Sequence, residues 1–172
     1  MEAAQPRASA HPLDPADIEA RLTDELASMV TGARRRALRD GDRQLDTAHL
    51  LHSLMESDPE VRATFESGRQ VARVLGYLVQ RSIGYGLRWQ GSVEDSGAVP
   101  VMTQPGWSPS ALTAMEHALR RAAARGDARA EGRDLLAALA ADPACRAIEV
   151  LTHAGVDATS LTDRLREPSH RV

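Results

Sequence analysis

The sequence predicts an all-α protein of two four-helix repeats, about eight helices in all, related by a pseudo-two-fold axis. Three observations carry that expectation. Alanine, leucine and arginine dominate, and aromatic residues make up only 3% of the 172 positions, which suits closely packed helices better than a β-sandwich. Apolar residues recur three and four positions apart through most of the chain. The chain also repeats itself: shifted by 85 positions, nine of the 32 pairs over residues 23–54 and 108–139 are identical, where about three are expected by chance.

Taken in order, residues 1–13 are rich in Ala, Pro and Ser without a period and read as a mobile tail ahead of a single domain, residues 14–168. Asp14-Pro15 is an N-cap followed by proline at the first helical position. Repeat one, 22–83, opens at Thr23, a second cap. Leu26, Met29, Val30, Ala33 and Ala37 then line one helix face until Gly41. Thr47 is read as the cap of a helix carrying Leu50, Leu51 and Leu54, which ends near Asp58-Pro59. Val61 and Phe65 fall on a short helix broken by Gly68, and Val71, Val74, Leu75 and Leu78 define a fourth that fades by Gly84. The inter-repeat loop, 84–107, holds five glycines and two prolines, so a helix cannot persist there. The alternation of Tyr85, Leu87 and Trp89 suggests a small hairpin. Repeat two, 108–167, starts at Ser108-Pro109, another cap followed by proline. Arg35-Arg36-Ala37, Gly41-Asp42, Leu50, Leu51 and Leu54 recur as Arg120-Arg121-Ala122, Gly126-Asp127, Leu135, Leu136 and Leu139. Asp58-Pro59, Gly68 and Leu78 are matched by Asp142-Pro143, Gly155 and Leu165.

Composition narrows the function. All 21 basic residues are arginine, so any P-loop or Schiff-base lysine is excluded. A formal charge of −3 argues against a dedicated nucleic-acid binder, although Arg34-Arg35-Arg36 admits a DNA stripe; recurrence of two of the three at 120–121 favours a solvated helix face. Cys145 has no partner for an internal disulfide, which suits a reducing cytoplasm. No run of about 20 apolar residues spans a membrane, and residues 1–11 lack a secretory apolar core. No catalytic set assembles: Cys145 with His153 and His117 lacks an oxyanion hole or third group, and Glu94-Asp95 lies in the glycine-rich loop. His49 and His52, three apart on one helix, are read as capping or packing residues because no carboxylate or cysteine set accompanies them. No metal or cofactor is expected. Trp89 and Trp107 have two readings, as hot spots for a partner or as staples of the long loop onto the helices.

The duplicated unit has a recognisable order. An opening pair (Leu22-Thr23, Trp107-Ser108) is followed by a Gly-Asp turn and then by Thr47-Ala48-His49-Leu50-Leu51, which in the second copy is Gly132-Arg133-Asp134-Leu135-Leu136. The unit closes with Ala154-Gly155-Val156-Asp157. Over about residues 22–167 this resembles the Clp N-terminal domain, or Clp repeat domain, carried ahead of the motor by ClpA- and ClpC-type AAA+ unfoldases. The resemblance implies a non-enzymatic module that binds proteins or peptides. On that reading the chain is an accessory or adaptor-like factor modulating Clp-dependent proteolysis, with Clp components or their substrates as partners. A decoy that sequesters peptides or cyclic-peptide antibiotics aimed at the unfoldase is the alternative, and a DNA-associated regulator is a third. Leu22, Thr47, His49, Trp107 and Asp134, at the motif positions, and Trp89 in the loop are the candidate partner-binding residues. The family's phosphoarginine ligands are the glutamates of its two Thr-Glu-His motifs. Ala48 and Arg133 stand there in this chain, so phosphoarginine binding is expected to be lost.

Overall fold

A computed structural model describes residues 14–82 and 106–167, and among them every regular element is helical. Nine helices follow in order: α1 (Pro15–Glu19), α2 (Asp24–Arg39), α3 (Thr47–Ser57), α4 (Pro59–Ala63), α5 (Gly68–Ser82), α6 (Pro109–Arg125), α7 (Gly132–Ala141), α8 (Arg146–His153) and α9 (Ala158–Arg166). The last eight form the two sets of four expected from the repeat, and α1 is an additional leading turn. The helix starts lie where capping chemistry puts them: the side chains of Asp14, Thr23 and Ser108 each accept a backbone N–H of the first turn. Gly41, Gly126 and Gly155 take the left-handed conformation after α2, α6 and α8, with φ of 72°, 89° and 80°.

The core is built around α3 and α7. Thr47 through Met55 are all buried in α3, as are Gly132 and Asp134 through Ala140 in α7. Helices buried on nearly every side belong at the centre; α2, α4, α5, α6, α8 and α9 pack against one or both of this pair, and α1 packs on α6. Leu50, Leu51, Leu54, Leu135, Leu136 and Leu139 are fully buried, as the repeat pattern predicts.

Two isolated parallel bridges lock the repeats together. Leu22 pairs with Ala130, and Leu45 pairs with Trp107. Thr23 donates its N–H to the Ala130 carbonyl (2.9 Å), and Ala130 donates to Arg21 (2.9 Å). In the second bridge Ser108 donates to Leu45 (2.8 Å) and Leu45 donates to Gly106 (3.1 Å). A shift of 85 carries the first set of bonds onto the second, so each repeat lends the residues ahead of its first helix to the other repeat. Such a crossed pair of bonds is the backbone signature of a pseudo-two-fold relation.

Several local expectations are corrected. Asp46, not Thr47, caps α3. The carboxylate accepts the His49 amide (2.9 Å), while His49 Nδ1 accepts the Asp46 amide (3.0 Å), a reciprocal box that makes Thr47 the first helical residue. Phe65 lies beyond the end of α4, and Gly68 opens α5 rather than only breaking α4. Arg36 and Arg121 are half-buried and turned inward, Arg36 to Glu56 (2.5 Å) and Arg121 to Asp134 (3.2 Å). Only Arg34, Arg35 and Arg120 keep to an exposed face. The proposed hairpin, Trp89 and Glu94-Asp95 lie outside the described residues. No helix among the described residues is long and apolar enough to cross a membrane.

Candidate functional site

Of the sequence-predicted site residues, Leu22, Thr47 and Trp107 make contacts across the seam between the repeats, His49 and Asp134 bond within their own repeats, and Trp89 lies outside the described residues. Leu22 is buried beneath its bridge to Ala130. The Thr47 hydroxyl, also buried, accepts the Ala147 amide of α8 across the seam (3.0 Å). Its counterpart, Gly132, lies so close to α4 that a Cβ there would collide with the Asp58 carboxylate and press on Val61. Trp107 is half-buried at the second bridge and packs on the core; its indole N–H has no partner among the described residues. His49 and Asp134 occupy the same position of α3 and α7, the third residue of each capping box.

Around those two residues the repeats differ. In repeat one, the His49 Nε2 lies 2.6 Å from Asp42 Oδ2, so with Nδ1 accepting the Asp46 amide the ring carries its proton on Nε2 and donates to Asp42. In repeat two the Asp134 carboxylate accepts the Glu131 amide (3.0 Å), Arg121 Nε (3.2 Å) and both terminal nitrogens of Arg125 (2.6 and 2.8 Å). Arg125 also reaches Asp127 from its Nε (2.6 Å). Hydrogen bonding to Asp134, working against burial, holds the Arg125 guanidinium well above its ordinary range.

A buried ion cluster crosses the seam at Asp46. Its carboxylate pairs with Arg81 of α5 and, at 2.9 Å, with Arg146 of α8. Burial by itself would raise the Asp46 pKa, but the hydrogen bond from the His49 amide and the charge of Arg81 outweigh it, so the carboxyl stays ionised well below the usual range. His52, the other histidine of α3, is pushed down to about 4 by burial and by the nearby Arg36, and therefore stays neutral at physiological pH. Cys145 caps α8 by accepting the Ile148 amide (3.4 Å), and His153 rests against Tyr77 with ring centroids 5.9 Å apart. The thiol is buried with a structural task.

Two concavities open near this seam. One, of about 360 Å³, has Leu26, Met29, Leu54 and Pro59 among its lining and the carboxylates Glu25, Asp58, Glu60 and Glu131 around them, so both repeats contribute to its wall. The other, of about 780 Å³, lies at the end of repeat two among Arg121, Arg125, Arg129, Arg133 and Arg166, with Asp127, Glu131, Asp134 and Glu167 between them. Arg133 donates there to the carbonyls of Arg164 (3.3 Å) and Glu167 (3.1 Å), while Ala48, at the equivalent place in α3, is fully buried. Sequence reasoning missed the groove-lining carboxylates because they come from three separate segments, the start of α2, the start of α4 and the residue before α7.

Comparison with solved structures shows that this all-helical fold is similar to that of a Clp N-terminal domain. The N-terminal domain of the caseinolytic-protease-associated chaperone ClpD from Arabidopsis thaliana matches over 85% of this chain and 92% of its own, with a TM-score of 0.57 at 17% identity. A structure from work on the ATPase ClpV, the TssB–TssC sheath and the accessory HsiE protein of type VI secretion matches over 88% and 91%, at TM-score 0.63 and 14% identity. A third, from investigations of a malarial protein secretion system, matches over 85% and 92%, at TM-score 0.62 and 14% identity. In sequence, no family model matches the chain and no curated protein is similar to it.

Proposed function

We propose that this protein is a non-enzymatic module that captures polypeptide segments at the seam between its repeats and acts as an accessory or adaptor-like factor of a Clp-type unfoldase. The observation that carries this reading is the 360 Å³ groove, whose apolar lining and carboxylates Glu25, Asp58 and Glu60 come from repeat one and are closed by Glu131 of repeat two. Its chemistry suits an extended or helical segment presenting an apolar side chain beside an arginine or lysine. The likeness to the ClpD and ClpV-related structures supports a role beside such machines. Phosphoarginine is not the ligand on this reading. Ala48 and Arg133 stand where the family carries the two glutamates that accept the guanidinium, and neither side chain offers an acceptor.

Affinity capture from the native lysate, with mass spectrometry, tests the proposal. The protein should enrich Clp ATPase or protease subunits, or a defined set of their clients, and reversing the exposed rim charges in Glu25→Lys/Glu60→Lys should lose them without loss of fold. Recovery that is identical for the variant places capture elsewhere and overturns the groove. Tight peptide binding with no Clp subunit recovered favours the decoy reading instead.

A further inference from the structure

We propose that Asp40, Asp42 and His49 form a binding site for a divalent transition-metal cation of the zinc class at the head of repeat one. The three residues come from the end of α2, the turn after Gly41 and the first turn of α3. Each offers a ligand atom, and the three atoms lie within 4.8 Å of one another. The turn is fixed by the left-handed Gly41 (φ 72°) and by Asp42 donating its amide to the Ala37 carbonyl (3.0 Å). The Ser82 hydroxyl reaches the Asp40 carboxylate (3.2 Å). One imidazole nitrogen and two carboxylates leave room for water in a four-coordinate site, the ligand set of an accessible zinc-type centre.

The second shell is already in place. His49 is fully buried, and its Nδ1 lies 3.0 Å from Asp46 Oδ1, whose charge is held by Arg81 and Arg146. When Nε2 takes a metal, the proton moves to Nδ1 and is donated to that carboxylate, the arrangement that orients metal-bound imidazoles. The exchange takes the acceptor from the Asp46 amide, so the site is expected to bind more weakly than one without such a cap.

An independent observation points to a cation at this place in the fold. A shift of 85 carries Asp40, Asp42 and His49 onto Arg125, Asp127 and Asp134. There the Arg125 guanidinium is lodged between the other two, 2.6 Å from Asp127 and 2.6 and 2.8 Å from Asp134. Repeat two therefore carries its cation covalently. In repeat one the residue that supplies it has become a third ligand, Asp40, so a cation at this place would come from solution and displace the hydrogen that His49 shares with Asp42.

The test uses the full chain, free of any affinity tag and stripped with a chelator, titrated calorimetrically with zinc chloride. The expected result is saturable binding of one ion and a zinc-dependent rise in Tm. Asp40→Asn and Asp42→Asn should each weaken binding at least ten-fold. Asp40→Arg puts a guanidinium beside Asp42, as Arg125 stands beside Asp127, and should abolish zinc binding while its metal-free Tm equals or exceeds that of the parent. Absence of saturable binding overturns the proposal. So does binding that survives unchanged in Asp40→Arg and Asp40→Asn, because the ion then sits on other histidines.

Discussion

Removing the Asp46 carboxylate should cost more than almost any other single change. The residue is 2% exposed and does two things at once: it caps α3 through the His49 amide, and it is the shared counter-ion of Arg81 and Arg146, whose side chains are each only 10% exposed. Breaking a buried pair from one side costs about 3–5 kcal/mol, because the remaining charge loses its compensation. The lost cap adds about 1 kcal/mol. Asp46→Ala should therefore lose about 4–6 kcal/mol, a large share of the roughly 5–15 kcal/mol that holds a domain together. Asp46→Asn keeps an acceptor for the cap and should lose about 3–5 kcal/mol from the charge alone. Urea unfolding followed by far-ultraviolet circular dichroism measures both. With a slope of about 2 kcal/mol/M, Asp46→Ala moves the midpoint down by roughly 2–3 M. The double variant Asp46→Ala/Arg146→Ala should cost less than the sum of its parts, since it removes one of the uncompensated charges. If both single variants stay within about 1 kcal/mol of the parent, the reasoning from the buried cluster fails.

The remaining expectations concern pH, packing and backbone. His52 has its folded pKa lowered to about 4, so the unfolded chain takes up the proton first. Its contribution is whole above about pH 6.5 and is lost as pH falls from there toward 4, at no more than about 1.4 kcal/mol per unit. Urea midpoints measured across that window should flatten in His52→Gln. Asp46, depressed further, adds a second decline that begins only as pH falls through its unfolded value of about 3.9, and Asp46→Asn should lack it. Leu136→Ala, at a fully buried position of α7, should cost about 2–5 kcal/mol by the same unfolding measurement. Gly126→Ala meets no neighbour but is held at φ 89°, so it should cost about 1–2 kcal/mol through the backbone alone, read as a lower Tm.

What could be read from the sequence was whatever local chemistry decides. Thr23, Ser108 and Asp14 cap because a small polar side chain precedes an apolar-periodic run. Gly41 and Gly126 end helices because the left-handed turn needs them, and the six repeated leucines are buried because they share a face. The misplaced cap of α3 shows the limit of that reasoning. Asp46 and Thr47 are both good caps, and only the return bond from the His49 ring decides between them. The bridges were invisible because Leu22, Leu45, Trp107 and Ala130 form single pairs with no period to betray a strand. The companions of His49 went unseen because Asp40 and Asp42 return to it only through the Gly41 turn, and the inward course of Arg36 and Arg121 depends on partners on α3 and α7.

The crossed bridges explain why the two halves can differ so much in chemistry without losing their relation. Backbone atoms make those four bonds, so the pairing of Leu22 with Ala130 and of Leu45 with Trp107 asks little of the side chains. Side chains at the head of each central helix are then free to take different solutions to one electrostatic problem. Two groups facing each other across the turn need a proton or a cation between them. Repeat one uses the shared hydrogen of His49 and Asp42, and repeat two uses the guanidinium of Arg125 between Asp127 and Asp134. The same freedom acts at the start of the central helices, where Thr47 bonds across the seam to Ala147 while Gly132 admits α4 to close approach. A scaffold joined through its backbone thus leaves its two copies to diverge, and an acidic groove and an arginine-rich cavity lie next to each other, with Thr23 and Glu131 in the wall of both. That asymmetry, within a symmetric frame, is what lets one fold present two different surfaces.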